Sequence, residues 1–205
     1  LLAWEDEIDG RYMIEDDYDS EFRYKGKPIP ALKGYDASEK VIYLGTFSKS
    51  IAPAIRMSYM VLPESLMKVY QAACRFINPT VSRVDQMILQ KFIEDGHYER
   101  HLNRMRALYK GRHDTFLNCL KPFAGKCRIS GEHAGVHLLL TFEDGRSEEE
   151  LIRLAREEKV AVYGLSSYDT QGTRKNQASV LLGYANMEED QIKEAVEILK
   201  KAWLS

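Results

Sequence analysis

Two short apolar runs, each followed by polar residues, constrain the fold of this chain more than any other feature of its 205 residues. The first run covers residues 11–16 and ends in acidic side chains, and the second covers residues 41–45 and continues into Thr-Phe-Ser-Lys. Short apolar runs of this kind are typical of strands buried in a sheet. The sequence therefore predicts two strands whose carboxyl ends meet a polar site.

Later patterns predict a helical region and then a second unit. The run at 57–62 is a third predicted strand, and from Pro63 onward the apolar period changes from two to about 3.6 residues, which is typical of helices. A long helix is expected from about residue 98 to residue 120. After it, strands are expected at 127–129, 135–141, 160–163 and 179–184, and helices at 147–158 and 187–203. The predicted boundary separates residues 1–121 from a small α+β unit of residues 122–205.

Composition argues against several classes of protein. The 29 Lys and Arg residues nearly balance the 31 Asp and Glu residues and form no block of one sign, so this segment has no nucleic-acid footprint. Cys74, Cys119 and Cys127 are odd in number and widely spaced, which predicts neither a disulfide framework nor a zinc site and fits a reducing compartment. No apolar run approaches the length of a membrane span. We therefore expect a cytoplasmic protein.

The first residues of the chain already have roughly helical spacing, in Leu1, Leu2, Trp4 and Ile8. Neither a methionine nor a capping residue precedes them, and the stretch carries acids where a signal peptide carries basic residues. We expect the chain to begin inside a helix and to be the C-terminal piece of a longer protein.

Three features near the predicted strand ends suit the chemistry of pyridoxal 5'-phosphate (PLP). They are the acidic stretch at 14–19, the Gly-Thr-Phe-Ser-Lys segment that ends at Lys49, and Arg56, seven residues beyond that lysine. A lysine amine forms a Schiff base with the aldehyde of PLP, an aspartate keeps the pyridine nitrogen protonated, and an arginine with hydroxyls binds the phosphate. The combination predicts a PLP site attached to Lys49.

The same stretches resemble the aminotransferase-like domain of MocR/GabR-type transcription regulators of the GntR family. The resemblance is strongest in Ile14–Phe22, Gly45–Ser50 and Pro53–Pro63, and it continues in Gly131–His137 and Leu181–Ala185. It implies the fold of type I PLP-dependent transferases, an α/β fold with a mixed, mainly parallel sheet in the large domain and a small α+β C-terminal domain.

The resemblance also implies what each part of the chain contributes. Residues 1–121 would be the C-terminal part of the PLP-binding large domain with its connecting helix, and residues 122–205 would be the small domain. The winged helix-turn-helix and the first half of the large domain have no counterpart in this chain. A homodimer is the expectation from the family.

Carried over residue by residue, the resemblance implies a cofactor site at the ends of the first two strands. Lys49 would form the Schiff base, Asp16 would pair with the pyridinium nitrogen, and Tyr18 would donate a hydrogen bond to the phenolic oxygen of the ring. The phosphate would be bound by side chains that offer a cation or a hydroxyl, namely Arg56, Thr46 and Ser48. Asp17 and Asp19 are expected to face solvent or to cap local backbone.

Two residues are candidates for effector binding. His137 interrupts an apolar strand, although a core histidine with satisfied hydrogen bonds is the alternative. Arg174 is the arginine nearest to the strand at 178–185, and a solvated loop charge is its alternative interpretation. That strand lacks the arginine with which aminotransferases hold the substrate α-carboxylate, which argues against transamination and against a GABA-like effector. No metal site is predicted, because no third ligand is placed with the pair His97 and His101.

The leading hypothesis is a sensor in which PLP on Lys49 responds to an amine or amino-acid-like effector, or in which PLP itself is the signal. DNA would be bound by the N-terminal domain outside this chain. The alternative is a fold-type-I aminotransferase or related PLP enzyme, in which Lys49 is the general base. A third hypothesis is a structural or interaction module in which the motif is no longer used.

Overall fold

The computed structural model describes residues 1–169 and 178–204, which belong to two compact units. Unit 1 consists of Leu1–Glu21 and Lys27–Met105, and unit 2 consists of Phe22–Gly26 and Arg106–Ser205. The division therefore lies within a helix, whereas the sequence pattern placed the boundary after residue 121. The physical reason is that the second half of this helix contributes apolar side chains to the core of unit 2.

Unit 1 is built on a three-stranded sheet in the order β1, β2, β3. Strands β1 and β2 are parallel, and β2 and β3 are antiparallel. The elements in chain order are α1 (Leu2–Asp6), β1 (Met13–Asp17), β2 (Val41–Thr46), α2 (Phe47–Ser50), β3 (Ser58–Val61), α3 (Glu64–Ala73), α4 (Arg83–Glu94) and the start of α5 (His97–Cys119). Two 3-10 turns, Leu32–Tyr35 and Pro53–Ile55, precede β2 and β3.

Unit 2 contains the rest of α5 and an antiparallel sheet in the order β4, β5, β7, β6. Its elements are β4 (Cys127–Ser130), β5 (His137–Phe142), α6 (Glu148–Glu157), β6 (Tyr163–Gly164), β7 (Ala178–Gly183) and α7 (Glu189–Leu204). Helix α7 places Ile192, Val196, Leu199 and Trp203 in the core, and the Trp203 indole donates to the carbonyl of Leu151 at 3.0 Å. Burial of these side chains is the main stabilisation of the unit.

Most predicted elements lie within a few residues of the observed ones, and β6 is the main exception. The prediction of a strand over 160–163 was wrong, because only Tyr163 and Gly164 pair with β7. The preceding residues close the end of α6, where Lys159 has a φ of 63° and the Val160 amide donates to the carbonyl of Ala155 at 2.9 Å. Backbone committed to a helix cap cannot also pair in a sheet. In the described part of the chain, no helix has both the length and the apolar character needed to cross a membrane.

Candidate functional site

The acidic end of β1 lies beside the end of β2. Asp16 pairs in register with Leu44, and Asp17 pairs with Gly45. Because the two strands are parallel, their carboxyl ends lie at the same edge of the sheet. Side chains alternate between the two faces of a strand, so Asp16 lies on one face of β1 and Asp17 on the other. The predicted meeting of the two strand ends is therefore present in unit 1.

Helix α2 begins directly at this edge and carries Lys49. Thr46 is its N-cap and accepts a hydrogen bond from the Ser48 amide at 3.2 Å. The Phe47 amide donates to the carbonyl of Met57 at 3.0 Å, which ties the first turn of the helix to the chain that leads into β3. An N-capped turn after a strand holds the side chains that follow it in a defined direction. Lys49 thus stands on a short, anchored helix at the end of β2.

Lys49 and Tyr18 are close to each other. The ammonium nitrogen of Lys49 lies 5.7 Å from the centroid of the Tyr18 ring, which is within the range of a cation–π interaction. The charge of Asp19, partial burial and the charge of Asp16 all raise the pKa of the Tyr18 hydroxyl. Tyr18 therefore keeps its proton at neutral pH and is available as a hydrogen-bond donor.

Arg56 has a backbone conformation that few residues other than glycine adopt. Its φ is 49° and its ψ is 32°, in the left-handed region, directly after the 3-10 turn Pro53–Ile55. This conformation costs a residue with a side chain about 1–2 kcal/mol. Strain of this kind is concentrated at binding and active sites, where the rest of the structure maintains it. The 3-10 turn contacts α2, the helix that carries Lys49, and Arg56 is the exposed residue directly after this turn.

The phosphate-binding prediction for Thr46 meets a competing interaction. Its hydroxyl donates to the carbonyl of Met57 at 3.3 Å and accepts from the Ser58 hydroxyl at 3.3 Å, besides capping α2. A hydroxyl has one proton to donate, so contact with a phosphate requires Thr46 to release Met57. Ser48 is half-buried in the first turn of α2. The roles of both residues stay predictions.

Of the two candidates for effector binding, the structure describes only His137. His137 is half-buried at the start of β5 in unit 2, opposite Gly183 of β7. Arg174 lies outside the described residues. In the described ranges no cluster of three His, Cys, Asp or Glu side chains could hold a metal ion. His97 lies 2.9 Å from a guanidinium nitrogen of Arg100.

Sequence reasoning missed the face of the sheet opposite Asp16. Asp17 caps local backbone, which was one of its two expected roles, since it accepts from the Ser20 amide at 3.2 Å, but its carboxylate also accepts from the hydroxyl of Tyr43 at 2.7 Å. Next to this pair, Tyr59 lies so close to Gly45 that any side chain at position 45 would overlap its ring. The spacing of two residues between Tyr43 and Gly45 was the available signal, because it places both on one face of a strand. The identity of the neighbouring residues on β1 and β3 required the register.

Comparison with known proteins defines the family of this chain. Residues 12–199 match the family described as "Aminotransferase class I and II". The chain belongs to this family. It is 42% identical over 204 residues to the HTH-type transcriptional regulator YhdI of Bacillus subtilis, covering 99% of this chain and 43% of that protein. It is 33% identical to the probable rhizopine catabolism regulatory protein MocR of Rhizobium meliloti, covering 95% of this chain and 39% of that protein.

Solved structures of aminotransferases share the fold. A kynurenine aminotransferase from Pyrococcus horikoshii, solved with PMP, superimposes with a TM-score of 0.88 at 27% identity, over 99% of this chain and 50% of the other. LysN, an α-aminoadipate aminotransferase from Thermus thermophilus complexed with a phosphopyridoxyl-leucine, gives a TM-score of 0.83 at 28% identity, over 99% and 52% of the two chains. The predicted fold class is thereby confirmed, and so is the resemblance to MocR-type regulators. The chain spans about half of these structures and less than half of the curated relatives.

The residues at the end of the sheet fit the cofactor of this family, and the family assignment confirms the prediction of PLP. Lys49 has its primary amine beside the ring of Tyr18, and the carboxylate of Asp16 lies two residues before Tyr18 in the chain. Arg56 and Ser48 would supply the cation and the hydroxyl that a phosphate dianion requires. Strand β7 contains no arginine, as the sequence indicated.

Proposed function

We propose that this chain is the cofactor-bearing part of an effector-sensing domain in a MocR-type transcription regulator. The observation that carries the proposal is the approach of the Lys49 ammonium to the Tyr18 ring, at the strand end that also bears Asp16. The likeness to regulators over nearly the whole chain supports a regulatory protein, and the solved aminotransferases support the cofactor.

Each residue of the proposed site has one task. When bound, PLP supplies an aldehyde that condenses reversibly with a primary amine, forming a C=N bond and releasing water. Lys49 presents that amine, and Asp16 stabilises a protonated ring nitrogen by its negative charge. Tyr18 donates its proton to the ring oxygen, and Arg56 binds the phosphate through its planar guanidinium.

The strand β7 favours a sensor over an enzyme. Its residues, Ala178–Gly183, include no cation that could hold the α-carboxylate of an amino acid. An amino acid whose carboxylate is not held is not oriented for proton transfer at its α-carbon. Little turnover is therefore expected. The effector is proposed to be an amine or amino-acid-like molecule, or PLP itself. DNA binding by another domain and homodimer formation complete the proposal.

The experiment is a titration of the full-length protein with PLP, followed by borohydride reduction and peptide mass analysis. A visible absorbance band and a reduced phosphopyridoxyl adduct on Lys49 are expected. Lys49→Ala should lose both, whereas Lys68→Ala should keep both, because Lys68 is an exposed residue of the same unit that pairs with Glu64 at 2.9 Å. An adduct on a different lysine, or no band in the wild type, would refute the proposed site.

A second measurement separates the regulator from the enzyme. The PLP-loaded protein is mixed with an amino donor and a keto acid, and steady-state product formation is followed. Less than one product per site is expected for a sensor. Rapid multiple turnover would establish the aminotransferase alternative and overturn the regulatory proposal.

A further inference from the structure

Both carboxylate oxygens of Asp17 accept hydrogen bonds from other residues of unit 1. One carboxylate oxygen accepts hydrogen bonds from the Tyr43 hydroxyl and the Ser20 hydroxyl, both at 2.7 Å. The other oxygen accepts from the Ser20 amide at 3.2 Å. Hydrogen bonds to a charged acceptor are about twice as strong as neutral ones. Asp17 therefore joins three points of the backbone, namely the end of β1, the middle of β2 and the turn that follows Tyr18.

These bonds determine the direction of the two neighbours of Asp17. Asp16 precedes it in β1 and points to the opposite face, because side chains alternate along a strand, and Tyr18 follows it with its ring 5.7 Å from the Lys49 ammonium. Asp17 is the last residue of β1, where pairing ends and a strand would otherwise fray. The bond from Tyr43 holds the strand end, and the bonds from Ser20 fix the turn immediately after Tyr18.

The same cluster also reaches the helix that carries Lys49. The Tyr43 ring lies 6.1 Å from the ring of Tyr59, and Tyr59 lies 5.2 Å from the ring of Phe47, the first residue of α2. Gly45 leaves the space that Tyr59 occupies. Aromatic pairs at these separations add to the stabilisation from burial. A continuous set of contacts thus links the strand end with Tyr18 to the helix with Lys49.

We propose that Asp17 and Tyr43 are positioning residues of the cofactor site, which rests on the proposed function. Their hydrogen bond fixes the position and orientation of the Asp16 and Tyr18 side chains relative to Lys49. We place neither residue in contact with the cofactor, since the Asp17 carboxylate accepts its hydrogen bonds from Tyr43 and Ser20.

The hydroxyl of Tyr43 is the donor in its hydrogen bond to Asp17. Burial and its hydrogen bond to Asp17 raise its pKa far above the usual value for tyrosine. Removing this hydroxyl removes the hydrogen bond to Asp17, together with a polar contact to Tyr59, and keeps the aromatic ring. Tyr43→Phe is for that reason the sharpest single substitution.

The test follows the visible absorbance band of the PLP-loaded full-length protein as a function of pH. Asp16 would keep the ring nitrogen protonated and Tyr18 would donate to the ring oxygen, and both effects lower the proton affinity of the nitrogen that joins Lys49 to the cofactor. Loosening either contact should make that nitrogen hold its proton to higher pH. In Tyr43→Phe and Asp17→Asn the pH midpoint of the band should rise by on the order of 0.5–1 unit, equivalent to a three- to tenfold change in the equilibrium. The double variant should shift no further than the larger single shift, because both substitutions act on the bond between Tyr43 and Asp17.

Two controls separate positioning from general effects. Asp19→Asn removes a neighbouring charge that raises the pKa of Tyr18. Without this charge Tyr18 is a stronger donor, so the midpoint should move downward or stay in place. Tyr35→Phe removes the hydroxyl of an exposed tyrosine in the same unit and should leave the midpoint unchanged. Unfolding of the cofactor-free variants, followed by circular dichroism, measures loss of stability independently of the band.

The outcomes distinguish the inference from the function on which it rests. A wild-type band with an unchanged midpoint in both variants overturns the positioning role alone, even if the variants are less stable. Additive shifts in the double variant overturn it as well, because the two residues would then act separately. Absence of the band from the wild type overturns the proposed function and the positioning role together.

Discussion

The sheet of unit 2 is covered by apolar side chains, whereas the sheet of unit 1 leaves one whole strand exposed. In β5, Leu138 and Leu140 are 0% exposed, while in β3 Met60 and Val61 are each 44% exposed. Helices α3 and α4 bury no residue at all, and α6 and α7 each bury several. Unit 1 also contains polar contacts that fix its strands and turns, such as those of Asp36 and Asp17.

This difference indicates how each unit contributes. An apolar core resists changes in volume, so substitutions in unit 2 should act on stability. The polar contacts of unit 1 fix directions at the strand ends, so substitutions there should act on the site as well. The following experiments test that division, beginning with the largest expected effect.

Truncation of a core leucine in unit 2 should have the largest effect on stability. Leu138 is fully buried in β5 opposite Leu182, and Leu138→Ala should lower the free energy of unfolding by about 2–5 kcal/mol, from lost burial and the cavity that remains. Denaturant titration followed by circular dichroism measures it. Met60→Ala in the exposed strand β3 should change stability by less than about 0.5 kcal/mol. Equal losses in the two variants would contradict the contrast between the units.

The sequence was most informative where a pattern is local. The apolar character of residues 41–45 is enough to predict β2. Ser147 predicts the start of α6 as its cap, and in the structure its hydroxyl accepts from the Glu150 amide at 3.2 Å. Lys49 was predicted as the cofactor lysine because its neighbours along the chain carry the motif. Such features depend on residues within one turn or one strand of each other.

Features that depend on distant pairing could not be read in this way. Asp17 was expected to face solvent or to cap local backbone, and its bond from Tyr43 was not foreseen, because Tyr43 lies 26 residues away and only the register of β1 and β2 brings them together. The left-handed backbone of Arg56 has no sequence signal, since arginine rarely adopts it. The strand expected at 160–163 also depended on distant pairing, because only the residues that pair with β7, Tyr163 and Gly164, form the strand.

Loss of the Asp36 charge should have the next largest effect, and it should depend on pH. Its buried carboxylate accepts from the amides of Val41 at 2.8 Å and Lys40 at 3.1 Å and from the Lys33 ammonium at 3.0 Å. Burial alone would raise the pKa of Asp36, but these hydrogen bonds outweigh it and hold the pKa below its usual value. Asp36→Asn should lower the free energy of unfolding at pH 7 by about 1.5–3 kcal/mol.

The sign of the pH dependence follows from the lowered pKa of Asp36. The stabilisation is present above the pKa of the unfolded chain, about 3.9, and is lost as the pH falls through the lower pKa of the folded state. Wild-type stability should therefore fall on acidification below about pH 4 more steeply than that of Asp36→Asn. Asp9→Asn, at an exposed position of the same unit, should keep the wild-type slope. A wild-type slope in Asp36→Asn would show that the hydrogen bonds of Asp36 do not stabilise its charge.

Two serine caps, one in each unit, compare the units directly. Ser147 caps α6 through the Glu150 amide at 3.2 Å, and Ser82 caps α4 through the Asp85 amide at 3.1 Å. Replacing either serine by alanine should remove about 1 kcal/mol from its helix. Because α6 packs into the core, Ser147→Ala should lower the global free energy of unfolding, whereas Ser82→Ala should mainly speed local hydrogen exchange in α4. A global loss in both variants would mean that α4 unfolds together with its unit.

The smallest expected effect on stability comes from the left-handed residues Arg56 in unit 1 and Lys159 in unit 2, with φ values of 49° and 63°. Glycine relieves the strain of about 1–2 kcal/mol but loses more backbone entropy on folding, so Arg56→Gly and Lys159→Gly should each raise the free energy of unfolding by at most about 1 kcal/mol. Only Arg56→Gly should also weaken binding of PLP, because it removes the proposed phosphate cation. Measuring unfolding without PLP and affinity with it separates the two effects. If both variants bound PLP as tightly as the wild type, Arg56 would be a strained turn residue with no place in the site.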